Sequence, residues 1–71
     1  MNELSIQILS VPHREKLIAE IQYNHYVIAE INQDNECLEI EIFSYDDFPI
    51  RLSIDNFIET IKEAKAKLLE E

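Results

Sequence analysis

Leu17-Ile18-Ala19-Glu20-Ile21 returns ten residues later as Val27-Ile28-Ala29-Glu30-Ile31, and after a polar break comes Cys37-Leu38-Glu39-Ile40-Glu41-Ile42-Phe43. Side chains along a strand alternate between faces with a period of two. Leu17/Ala19/Ile21, Val27/Ala29/Ile31 and Leu38/Ile40/Ile42 therefore fall on one side. Glu20, Glu30, Glu39 and Glu41 fall on the other. Three such runs joined by short polar breaks read as an antiparallel meander, with an apolar face for a core and a carboxylate-bearing face turned outward.

Working outward from these runs, Leu4-Ser5-Ile6-Gln7-Ile8-Leu9 alternates in the same way and supplies a strand before them. Pro12 lacks a backbone donor and disfavours helix at Val11, so Ser10 to Glu15 is a connection. The next two strands are expected at about Lys16 to Gln22 and Tyr26 to Asn32. Placing Ile21 opposite Val27 and Ala19 opposite Ala29 calls for an odd-numbered loop. A three-residue turn, Tyr23-Asn24-His25, with a left-handed residue at or near Asn24-His25 meets that need. Gln33 to Glu36 forms the next turn, and Ser44 to Pro49 is a loop containing Asp46-Asp47. Ile50-Arg51-Leu52 is read as a short edge strand.

The period then changes. Ile54, Phe57, Ile58, Ile61, Ala64, Lys65 and Leu68 follow helical spacing, with Ser53 placed to cap the helix and Asp55 in its first turn. Glu63 and Lys67 form an i,i+4 pair worth only about 0.2–0.5 kcal/mol, so the helix depends on docking its apolar stripe. The expected fold is α+β: an antiparallel β-meander of four to five strands with one C-terminal α-helix packed on one face, the 71 residues forming one domain.

Composition limits what such a fold can do. With 15 acids against 6 bases the net charge is −9. Nucleic acid and anionic membranes are thus poor partners, since both require a basic footprint. Residues 1–53 carry ten acids and three bases, and residues 54–71 five acids and three lysines. The negative field therefore belongs mainly to the sheet. Glycine is absent, which removes the P-loop, the dinucleotide fingerprint and the nucleophile elbow, all of which need a glycine where the chain turns tightly or meets phosphate. No basic-then-apolar leader segment or apolar span is evident, and the single cysteine, Cys37, has no intrachain partner. A reducing, cytoplasmic location is expected.

His13 and His25 lack partners at metal-ligand spacing, and no nucleophile motif surrounds Cys37. Asp34-x-Glu36 and Asp46-Asp47 lack the glycine of a calcium loop and read as turn formers. Neither enzyme activity nor a cofactor or metal is expected. The acidic face is the functional candidate, because like charges on neighbouring strands repel and a basic partner would relieve the repulsion. Ile18 and Ile28 on the same face are candidate apolar anchors, and Tyr23, Tyr26 and Tyr45 at strand ends are candidate contact aromatics. Solvation alone also accounts for an acidic face, and aromatics at strand ends also close off a core.

In size, charge and element order the chain resembles the small inhibitory proteins of bacteria and their viruses, such as toxin-neutralising immunity proteins and anti-defence inhibitors. No residue motif carries that resemblance. It implies a protein-binding module that occludes a basic surface on a protein target. The alternative is a self-associating, homodimeric domain without catalytic activity. Acid repulsion opposes pairing through the sheet face, leaving an edge strand or the helix as its contact.

Overall fold

The computed structural model describes residues 4–46 and 49–70. The loop readings for Asp47 and Phe48 lie outside the described residues. Four strands, β1 (Leu4–Leu9), β2 (Ile18–Tyr23), β3 (Tyr26–Asn32) and β4 (Glu39–Ile42), form one antiparallel sheet in chain order, followed by helix α1 (Ile54–Glu70). The meander and its C-terminal helix are as the alternation and the change of period imply. Ile50 to Leu52 adds no fifth strand: Ile50 and Leu52 instead turn half-buried side chains against the core on the way into α1.

The β2–β3 hairpin departs from the expected register in an informative way. Its loop has two residues, Asn24 (φ 48°) and His25 (φ 72°), both left-handed. That is the geometry of the twist-compatible hairpin turns, which normally use glycine. Asparagine and histidine are among the few other residues that tolerate it. An even loop alone would have placed Glu30 on the core side. The chain avoids this with a bulge: Gln22 pairs with Val27 but Ile21 pairs with Ala29, so Ile28 is an extra residue in β3. The expected pairs Ile21–Val27 and Ala19–Ala29 are replaced by Ile21–Ala29 and Ala19–Ile31.

Parity is thereby restored. Ala19 and Ile21 of β2 and Ala29 and Ile31 of β3 are buried together with Ile28, and α1 adds Ala64 and Leu68 to the same cluster. The helix begins as expected, with the Asn56 N–H donating to Ser53 Oγ at 3.3 Å. It packs on β1 and β2. Its buried residues are Thr60, Ala64 and Leu68. Thr60 satisfies its hydroxyl by donating to the Asn56 carbonyl at 2.8 Å. Phe57 and Ile61 are half-buried, whereas Ile54, expected in the apolar stripe, is 75% exposed, and Ile58 is exposed with it.

This placement makes two residues of the same stripe behave differently. Leu68→Ala should lower the unfolding free energy by about 2–5 kcal/mol, as for other fully buried leucines. Ile54→Ala should change it by no more than about 0.5 kcal/mol. Urea denaturation of the two variants measures both. Equal losses would mean that the helix docks through a different face.

Candidate functional site

The side of the sheet away from α1 carries the acidic candidates. Glu20 of β2 lies opposite Glu30 of β3, and Glu30 opposite Glu41 of β4, so three carboxylates form a row across the strands. Glu39 lies opposite Asn32. The sequence alternation thus places all four glutamates on one face, but it does not reveal what lies over them.

Arg14 does. From the connection between β1 and β2 its guanidinium reaches Glu30 (Nε to Oε2, 2.7 Å) and Glu41 (Nη2 to Oε1, 3.4 Å), and its Nη1 donates to Asp34 Oδ2. One planar cation therefore serves three carboxylates from two elements and a turn. Glu30 is only 7% exposed, and a carboxylate so far out of water needs such a partner. The hydrogen bond to Asp34 outweighs the opposing effect of burial and, joined by the charges of Glu30 and Asp34, holds the guanidinium even more firmly protonated than usual. Arg14 is accordingly a fixed charge. Its raised affinity for the proton contributes stability below its ordinary pKa, lost only at strongly alkaline pH.

The surrounding loops hold this arrangement in place. Asn32 Oδ1 accepts the Asp34 N–H at 3.3 Å, and Gln33 Nε2 donates to the Leu17 carbonyl at 3.0 Å, tying the β3–β4 turn to the start of β2. Asn35 Nδ2 donates to Glu39 Oε1 at 2.8 Å, and Gln22 Nε2 to Glu20 Oε1 at 3.3 Å. The repulsion expected among Glu20, Glu30, Glu39 and Glu41 is thus offset in part within the chain: Arg14 pairs with Glu30 and Glu41, while Glu20 and Glu39 accept from the neutral amides of Gln22 and Asn35. Arg14 is separated from its partners by 16, 20 and 27 residues, beyond any local spacing rule. The available signal was scarcity: with three bases among residues 1–53, each has many acids within reach.

The apolar anchors are corrected. Ile18 is 1% and Ile28 3% exposed, so neither offers surface to a partner. Ile18 lies opposite Leu9, on the side over which the 10–17 connection returns to bring Arg14 to Glu30. As the bulge residue, Ile28 joins the helix-side core cluster.

The tyrosines gather at the opposite end of the sheet from Arg14 and Asp34. Tyr23 lies opposite Tyr26, whose ring meets that of Tyr45 edge-on at 5.3 Å between centroids. Tyr45 donates its hydroxyl to the Val27 carbonyl at 2.7 Å. Tyr23 and Tyr45 pack against the helix-side core, and Tyr26 is the most exposed of the three. They close the hairpin end of the core and do not adjoin the carboxylate row.

His13, His25 and Cys37 are exposed. Among the described residues no group of three or more His, Cys, Asp or Glu is placed to hold a metal ion, and no helix is long and apolar enough to cross a membrane. No family model, curated protein or solved structure matches this chain.

If Arg14 compensates Glu30 as the geometry indicates, Arg14→Met lowers the melting temperature by leaving a buried carboxylate unpaired. Combining it with Glu30→Met should restore part of the loss. A double-mutant cycle followed by thermal denaturation reads the coupling. Strictly additive effects would make the ion pair energetically idle.

Proposed function

We propose that the chain is a small acidic protein-binding module whose outer sheet face meets a basic surface on a protein target, with the occluding action of an inhibitor or immunity-type protein. The observation that carries this reading is the registered row Glu20–Glu30–Glu41 with Glu39 beside it, over which the carboxylates outnumber the single cation Arg14. Arg14 also stiffens the row, since its three ion pairs hold Glu30, Asp34 and Glu41 in one arrangement before any partner arrives. A preorganised array of acids draws a basic surface toward it and costs little further ordering on contact. Buried Ile18 and Ile28 leave this face without large aliphatic anchors. Its contribution is therefore to the rate and orientation of encounter more than to residence time.

The test keeps Glu30, which holds Arg14, and neutralises its exposed or half-exposed neighbours. Against a target captured from the native cell, Glu20→Gln, Glu39→Gln and Glu41→Gln together should slow association on the order of tenfold at low salt. They should also flatten its salt dependence, because steering acts through a Debye length of about 8 Å at physiological ionic strength. Unchanged association kinetics in the triple variant would reduce the acidic face to a solvated surface.

A further inference from the structure

Arg14 serves only one end of the β3–β4 part of the acidic face. Register sets two cross-strand pairs side by side there, Glu30 with Glu41 and Asn32 with Glu39, and steps of two along each strand keep all four side chains on the outer face. The guanidinium takes Glu30, Glu41 and Asp34. Among the described residues the Asn32–Glu39 pair receives no cation, and Glu39 accepts only from the neutral Asn35 amide. Around this pair Asp34 and Asn35 of the turn, with Glu41 and Arg14, wall an open basin.

Asn32 sets the chemistry of the basin. The residue is 5% exposed, and its Oδ1 accepts the Asp34 N–H at 3.3 Å. That bond fixes the orientation of the amide, because only its oxygen can accept. Nδ2 donates to no acceptor among the described residues. It is not sealed in, since no fully buried side-chain nitrogen or oxygen among them lacks a partner. The amide hydrogens therefore reach solvent, on the basin that Asn32 lines. A nearly buried donor open on one side calls for an acceptor, and the carboxylates beside it call for a cation.

We infer that this basin captures the amino terminus of a protein partner, with the ammonium on Glu39 and the first carbonyl oxygen on Asn32 Nδ2. The inference rests on the reading of this face as protein-binding and adds which group of the partner it holds. A chain terminus carries its cation and a carbonyl oxygen about 3 Å apart. Cross-strand neighbours have their Cβ atoms about 5 Å apart, so the two groups of the terminus fall one on each side chain of the Asn32–Glu39 pair. A lysine or arginine side chain offers no acceptor beside its charge. A metal ion does not fit either, because amide hydrogens repel it. Arg14 stays in place at the other end, and four carboxylates, Glu30, Asp34, Glu39 and Glu41, around one guanidinium leave negative charge for a second cation.

Three probes separate this from general attraction to an acidic face: tri-alanine amide with a free amino terminus, the same peptide N-acetylated, and N-acetyl-lysine methylamide, whose cation has no carbonyl beside it. Each is titrated into the isotope-labelled whole chain at about pH 6.5, where an α-amino group is charged, and NMR follows the Asn32 side-chain amide. The free peptide should move both amide signals and bind at least about tenfold more tightly than either control. Asn32→Asp keeps an oxygen for the Asp34 N–H and removes the donor, so its preference for the free peptide over the lysine probe should fall to about one. Stationary Asn32 signals, or a lysine probe that binds wild type as well as the free peptide does, overturn the proposal and leave Nδ2 to water. A preference that survives Asn32→Asp overturns it too. These readouts are separate from the salt-dependent association of the whole face with its target, so this inference can fail while the acidic-face reading stands.

Discussion

Alternation of side chains along β2 and β3 has to bring Ala19, Ile21, Ala29 and Ile31 to one face together, and the chain must achieve this with a tight hairpin and no glycine. A two-residue left-handed turn at Asn24-His25 gives the strands the correct twist but the wrong parity. The extra residue at Ile28 corrects the parity. Everything else follows from that correction. Without it Glu30 would face Ala64 and Leu68, and the helix would have no apolar floor. With it, Glu30 is turned to the other side, where a buried carboxylate requires a cation.

Arg14 supplies that cation, so the turn, the bulge and the ion-pair cluster form one chain of cause. The β1–β2 connection is long because it must carry Arg14 across β2 to reach β3 and the turn beyond it. Its position is constrained further by the bond from Gln33 to the Leu17 carbonyl. A cation shared by Glu30, Asp34 and Glu41 fixes β3, β4 and their turn relative to one another on a face that no helix covers. A network of this kind adds specificity of arrangement more than net stability, because desolvation offsets much of the attraction.

Much of the architecture was legible because it rests on local periodicity. Leu4 to Leu9 and Tyr26 to Asn32 were read at their observed bounds, and Ser53 was read as the cap it proves to be. What was not legible depends on distant parts of the chain. A bulge has no composition signature in Val27-Ile28-Ala29, all of which suit a strand, and only the requirement for parity across the sheet reveals it. Arg14 was hidden by its separation from its partners. The exposure of Ile54 and Ile58 was missed for a third reason: helical spacing reports a stripe but not where along the width of a sheet the helix will lie.

That last point bears on the division of labour between the two faces. A single helix placed over the middle of four strands would have sealed most of the core and left no apolar corner. The helix lies over β1 and β2, where Ala19 in β2 and Ala64 in α1 are both fully buried and small side chains let a helix approach a sheet closely. Toward β4 the inward positions become the bulky Ile40 and Ile42, and the helix does not reach over them. The sheet thus separates two surfaces of opposite character, a charged one stiffened by Arg14 and an apolar one bounded by α1. Because they lie on opposite sides of the strands, a contact on one does not sterically block the other.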